Sequence, residues 1–387
     1  MKSFVSIFCG WLLIAGAERP WTMHTIDGTL FGADGTKLAY ANPDRHPDIV
    51  TGWEQSNVAR LYLHPGKPTA QWPYVEVPAP AVEDAFVADL DGDGFGDIIT
   101  LSEGNEQRVT IHWAPGHETR YGQSQFWQSS DLPCAYRRSR WMFGIPMQVD
   151  GKHGLDLVVG SKDPAGTLGW LEAPASPRDP LAWRFHPIGP AGWVMSIVEM
   201  DVDRDGLNDL LVSDRYGSNR GIRWLKNPGP GKAQMAPWPN QVIGLTQGQP
   251  MFMHATTDTI LAMDLNAGLV RFTRSENHPW QADTIAYPTF AGTRGKAVTQ
   301  GDLNADGRAD LVMSFEGARD RHGVVWRDAA TNAFKSISGK RGVKYDLVLL
   351  LDMDDDGDLD VVTSEENNNS TTDKGLGVVW FENPDRD

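Results

Sequence analysis

Cysteine is nearly absent: the 387 residues contain two, Cys9 and Cys134, too few for a disulfide framework. Long apolar runs are missing too. The longest, Phe4 to Ile14, falls short of the roughly 18 residues that a membrane-crossing helix needs, so membrane insertion is not expected. Positive charge is scarce: 35 Lys and Arg against 51 Asp and Glu leave a net charge of -16, which opposes the counterion release behind binding to nucleic acid or an anionic membrane. Neither is expected as a partner. Catalytic signatures are lacking as well, with no GxSxG, P-loop, dinucleotide or HExxH pattern among ten scattered His. What is present is turn chemistry and aromatic bulk: 40 Gly, 25 Pro, 15 Trp and 14 Phe. That composition argues against long helices and coiled coils.

Lys2, the apolar run behind it and the small residues Ala15, Gly16 and Ala17 form a secretory signal pattern, assigned to residues 1–17. The remainder, 18–387, is expected to be secreted or periplasmic and monomeric. Cys9 leaves with the signal, and Cys134 alone forms no internal disulfide. An exported chain of this size then needs other cross-links, and metal ions are the usual substitute.

One phrase recurs along the chain: an apolar strand, an acidic loop, and a second strand opening with Asp and two apolar residues. Its clearest copies are VADLDGDGFGDIIT, MDVDRDGLNDLLVS, GDLNADGRADLVMS and LDMDDDGDLDVVTS. Weaker copies carry the count to seven, with the strand-opening aspartates at Asp48, Asp97, Asp156, Asp209, Asp258, Asp310 and Asp360. A third strand follows each, as in RVTIHWAPG and GVVWFENP, and a fourth, opened by an aromatic residue, follows six of them. The seventh lacks its fourth strand; WTMHTIDG at Trp21 to Gly28 supplies one from the other end of the chain. Repeats of this kind predict an all-β, seven-bladed β-propeller spanning 18–387, with four-stranded antiparallel blades and the last blade closed by the N-terminal strand.

These phrases resemble the FG-GAP or VCBS repeat family, whose members include the propeller of integrin α chains and many exported bacterial proteins. QVDGKHGLDLVVGSK, AGWVMS and GVVWFENP are similar to those of a group of exported bacterial repeat proteins. The resemblance covers nearly all of the exported chain and brings no specific activity with it.

In DxDxDGxxD, the side chains at positions 1, 3, 5 and 9 can converge on one ion while Gly at position 6 permits the sharp turn, and hard oxygen ligands of this number suit Ca²⁺. Four copies are intact. They are Asp89, Asp91, Asp93 and Asp97; Asp201, Asp203, Asp205 and Asp209; Asp302, Asn304, Asp306 and Asp310; and Asp352, Asp354, Asp356 and Asp360. An isolated copy could merely cap two strands, but fifteen carboxylates in four short loops would repel without a counter-ion. About four structural calcium ions are expected, and the resemblance to integrin α repeats implies the same. In the first, third and fifth repeats the loop is degenerate, through Tyr40 and Arg45, through Gln148 and Lys152, and through deletion.

Propeller ligands gather around the axis on the face opposite such loops. Residues entering the first strands there include Asp34, Glu83, Asp84, Arg140, Trp141, Trp193, Lys296, Lys344 and Asp346, a mixed-charge cup with aromatic walls. Lys296 and Lys344 stand out, because cations on neighbouring blades would repel across a narrow axis unless an acid lies between them. His254, on the innermost strand of the repeat that lost its loop, is a further candidate. Trp141 and Trp193 could instead be packing residues. Three functions compete: a carbohydrate-binding or other ligand-binding module, with the Trp residues stacking on a sugar; a polysaccharide lyase or sugar dehydratase, with Lys296, Lys344 or Arg140 neutralising a uronate and His254 or a Tyr taking the proton; and a protein-interaction scaffold.

Overall fold

A computed structural model describes residues 20–384 except 45, 276–277 and 368–369; the signal segment 1–17 and Arg45 lie outside the described residues. Strands dominate, with one four-residue helix, Glu118–Tyr121, and three short 3₁₀ turns.

The strand-opening aspartate marks its strand as the sequence indicates in six repeats: Asp48–Trp53, Asp97–Ser102, the long Asp156–Glu172, Asp209–Asp214, Asp310–Glu316 and Asp360–Glu366 all begin on it. In the repeat with the deleted loop the strand starts one residue later, as Thr259–Asp264. These second strands are apolar because they are covered on both faces; Asp48–Trp53, Asp97–Ser102 and Asp209–Asp214 are buried at every residue. Fourth strands lie outermost and are wet, as at Gln281–Ile285. Aromatic openers fix them in place: Trp72, Trp127 and Trp183 are buried, and their indole N–H groups donate to the carbonyls of Pro68, Tyr121 and Pro177 at 3.0, 2.8 and 2.8 Å.

Three four-stranded antiparallel sheets stand alone, running from Ala33–Ala39 to Tyr74–Pro78, from Val82–Ala88 to Gln128–Asp131, and from Pro250–Thr256 to Gln281–Ile285. The rest departs from a simple tally of separate repeats. Asp156–Glu172 and Arg184–Met200 are each 17 residues long, and each runs through two strand positions of the repeat pattern, giving one six-stranded sheet. A single pairing, Glu316 with Lys344, joins the strands of the sixth and seventh repeats into an eight-stranded sheet. The N-terminal strand Thr22–Asp27 pairs antiparallel with the C-terminal strand Gly377–Glu382. His24 stacks on Trp380 at 4.2 Å within that pair.

Every repeat's first strand also slips register near its start, between Asp34 and Lys37, Val82 and Asp84, Trp141 and Phe143, Val194 and Ser196, Pro250 and Met253, Gly295 and Val298, and Tyr345 and Val348. Such a bulge re-aims the side chains that follow it. Here it turns them toward a shared centre.

Candidate functional site

Two groups of polar residues occupy opposite ends of the first strands. At the exit ends are the acidic loops, where backbone amides hold the carboxylates in place. In the loop at Asp89, Gly92 N and Gly94 N donate to Asp89 at 2.8 and 2.9 Å; in the loops at Asp201, Asp302 and Asp352, Gly206 N, Gly307 N and Gly357 N donate to the first aspartate at 2.9, 2.9 and 3.0 Å. Carboxylate oxygens of Asp89, Asp91 and Asp97 lie within 4.8 Å of one another, as do those of Asp201, Asp203 and Asp209 and of Asp352, Asp354 and Asp356. No such trio forms among the described residues of the Asp302 loop, whose third position is Asn304.

The fit to a hard cation is uneven. Asp352 Oδ1 and Asp354 Oδ1 are shut off from solvent and accept no hydrogen bond, the condition a bound cation would relieve. In the loop at Asp89, Arg178 reaches Asp91 at 2.5 Å and Asp93 at 3.6 Å; in that at Asp201, Lys226 pairs with Asp203 and, at 2.9 Å, with Asp205. A basic side chain stands beside two of the loops.

The aspartate at the ninth position clamps the backbone. Both oxygens of Asp97 accept backbone N–H groups, from Leu90 at 3.2 Å and Ala114 at 2.8 Å, tying the acidic loop to the end of the third strand. Asp156, in a degenerate loop, makes the same clamp with Val149 N at 2.9 Å and Ala173 N at 2.8 Å, and Asp48 makes it with Ala41 N and His64 N. The clamp therefore exists with or without a complete acidic loop. Asp258 makes none; it is exposed and pairs with Arg204 at 3.3 Å.

At the entry ends, all seven first strands or their flanks border one cavity of about 310 Å³. Its wall carries Asp34, Glu83, Asp84, Trp193, Lys296 and Lys344, six of the ten candidates named from sequence, and the second-to-third-strand loops add Glu54, Lys162, Arg215 and Glu316. Asp346 lies behind the wall, buried against Lys296 at 3.7 Å. The other three candidates fall elsewhere. Arg140 borders a second cavity of about 570 Å³, which shares Lys162 and Trp193 with the first. Trp141 is fully buried in the core, its N–H given to Ala135 O at 3.1 Å, because the bulge after it turns Met142 and Phe143 inward instead. His254 borders neither cavity; the bulge in its strand presents Phe252, and burial alone lowers the pKa of the His254 ring. Phe143, Phe252 and Met195, which line the cavity, are not among the residues named from sequence, because each sits at a register slip that composition does not mark.

Lys296 and Lys344 are not unpaired cations. Lys296 donates to Glu316 at 3.2 Å, Lys344 pairs with Glu366, and Arg294 reaches Glu316 at 2.7 Å. Burial and then Lys344 lower the Lys296 pKa; Lys344 is raised, because Asp34 and Glu366 outweigh its burial. Burial works to raise Glu316, yet Lys296, Lys344 and Arg294 hold it below the usual range. Across the cavity, Lys162 sits between Glu83 at 2.9 Å and Glu103 at 2.6 Å. Burial pushes Glu83 up to about 8. Glu54, with no basic partner within ion-pair distance among the described residues, is pushed up to about 7 by burial and by Asp34 and Glu366. Below them, Lys37 donates to Asp84 at 2.6 Å and lies 3.9 Å from the Phe143 ring centre. The resulting surface is dense in fixed charge and close to neutral in sum.

Trp193 divides the two cavities. Asp214 accepts the backbone N–H of Trp193 at 2.7 Å and that of Gly192 at 2.9 Å, while Arg223 holds Asp214 at 2.9 Å, both side chains being buried. Gly192 is required there, since a Cβ would meet Tyr216 O at 1.9 Å. Lys162 and Arg215 lie 4.7 and 4.9 Å from the Trp193 ring centre, so its π surface already holds two cations.

No family model matches the sequence, and no curated protein does. Solved structures do match in shape. A catalytically inactive virginiamycin B lyase from Staphylococcus aureus, solved with quinupristin, is 12% identical with a TM-score of 0.57, covering 93% of this chain and 97% of that one. Sqt1 of Saccharomyces cerevisiae is 10% identical, TM-score 0.54, covering 95% and 98%. The WD40 β-propeller domain of Doa1 is 9% identical, TM-score 0.52, covering 95% and 99%. The fold is a β-propeller. Identities this low establish architecture alone, and the FG-GAP or VCBS resemblance rests on its motifs.

Proposed function

We propose that this chain is an exported, calcium-stabilised propeller of seven four-stranded blades that binds a polar ligand, a carbohydrate, in the axial cavity. Seven blades are supported by dividing the two 17-residue strands at their irregularities and the eight-stranded sheet at its Glu316–Lys344 pairing, and ring closure by the pairing of Thr22–Asp27 with Gly377–Glu382. Calcium is supported by the converging carboxylate trios of three of the acidic loops and by the unpartnered oxygens of Asp352 and Asp354. The acidic loops would bind ions and stabilise; the other face would bind ligand.

One observation carries the ligand reading: the cavity wall fixes acids and bases in mutual pairs beside Trp193, Phe143 and Phe252. Pre-paired charges present directed donors and acceptors without strong net charge, which suits the hydroxyls of a sugar, while the Phe143 and Phe252 edges of the wall suit its apolar face. The scaffold reading is weaker, because no Trp is among the exposed large hydrophobic residues described. The lyase reading loses His254 as its base, since that ring borders neither cavity. A glycan array probed with the full exported chain in calcium tests the proposal. Saccharide binding that is weakened by Asp34→Asn at unchanged melting temperature is expected; binding to no saccharide would refute it.

A further inference from the structure

Five cations border the axial cavity: Lys162, Arg215, Arg294, Lys296 and Lys344. Four are paired to acids of the chain, Lys162 to Glu83 and Glu103, Arg294 and Lys296 to Glu316, and Lys344 to Glu366. Arg215 differs. Among the described residues its guanidinium has no acid within 4 Å and donates no hydrogen bond, and its Nε is buried without a partner. It is nevertheless held in place, 4.9 Å from the Trp193 ring centre and 5.0 Å from that of Tyr216, with its backbone N–H on Trp193 O at 2.8 Å. The Asp214–Arg223 pair fixes Trp193 in turn. A guanidinium flanked by rings and left without its acceptors is a pre-formed fork for an oxyanion, which it can take with two parallel hydrogen bonds.

We propose that the cavity's ligand is an acidic saccharide whose oxyanion, a uronate carboxylate or a sulfate ester, is bound by Arg215. This rests on the axial cavity being the ligand site and adds the class of ligand. An internal acid would be the alternative partner, yet Glu83 and Glu103 are engaged by Lys162, and Asp214 by Arg223 and two backbone amides, while Asp34 and Glu54, which line the same cavity, make no ion pair with Arg215.

Calorimetric titration of the full exported chain in calcium tests this with three probes: trigalacturonate, a sulfated disaccharide from heparin, and neutral cellotriose. At least one acidic probe is expected to bind, more tightly than cellotriose and with salt-sensitive affinity. Arg215→Gln should weaken that binding roughly 10- to 100-fold, the range for a lost charged hydrogen-bond pair, and Arg215→Lys should restore part of it. Melting curves of both variants check the fold. Which acidic probe binds separates carboxylate from sulfate. Tighter binding of cellotriose, or an Arg215→Gln variant with full affinity for the acidic probe, overturns this inference and leaves the axial site standing. Binding of none of the three overturns the acidic-ligand inference, and only a blank glycan array removes the site itself.

Discussion

At the scale of single residues, the aspartate that opens the second strand in six of the seven repeats makes a clamp that the motif alone does not reveal. As the ninth position of DxDxDGxxD it reads as a metal ligand, yet Asp156 and Asp48 make the same two amide contacts in loops that lack the acidic set. Asp156→Ala is therefore expected to cost roughly 2–4 kcal/mol in urea unfolding, with or without calcium, since it strands two buried N–H groups. Asp258→Ala should change stability by no more than about 0.5 kcal/mol, as for other exposed sites. Glu54 gives a pH test. Its folded pKa, about 7, lies above the ordinary carboxylate value because burial and neighbouring acids disfavour the charge. The folded state then holds the proton more tightly than the unfolded one, so this group favours folding as pH falls from about 8 toward 5 and opposes it above. Glu54→Gln should stabilise at pH 8, by on the order of 1 kcal/mol after allowing for solvent screening, and do little at pH 5. An equal effect at both pH values would exclude a raised Glu54.

At the scale of strands and loops, much was legible in the sequence, for physical reasons that also explain the misses. Second strands announce themselves because they are buried on both faces, and fourth strands because a Trp must anchor an otherwise wet edge. The bulges of the first strands leave no compositional mark, so Trp141 and His254 were placed at the axis when Phe143 and Phe252 are there. Pairing was legible only in part: Asp346, two residues beyond Lys344, does lie 3.7 Å from Lys296, but nothing near either lysine in sequence points to Glu316 and Glu366. Lys344→Met is thus a stability change, expected to cost roughly 3–5 kcal/mol by leaving Glu366 buried and unpaired. The N-terminal strand was recoverable by counting, since the seventh repeat lacked a partner. Deleting residues 21–28 should expose the edge of Gly377–Glu382 and produce a chain that melts lower and self-associates in light scattering. A deleted chain that stays monomeric with unchanged melting would argue against closure.

At the scale of the whole molecule, the first strands carry the two faces apart, with acidic loops at one end and the charged cavity at the other. Calcium removal should then lower the melting temperature, because ions bound to the native state add to folding free energy. Among the four loops, the one at Asp352 should release its ion last, since among the described residues no basic side chain within 4 Å competes for its two unpartnered oxygens. The most direct test of the two-faced account is a crystal structure grown in calcium with the saccharide that binds best. It should show metal density in the acidic loops and saccharide density in the axial cavity, against Asp34 and Arg215. Saccharide bound outside that cavity while the cavity stays empty would contradict the account.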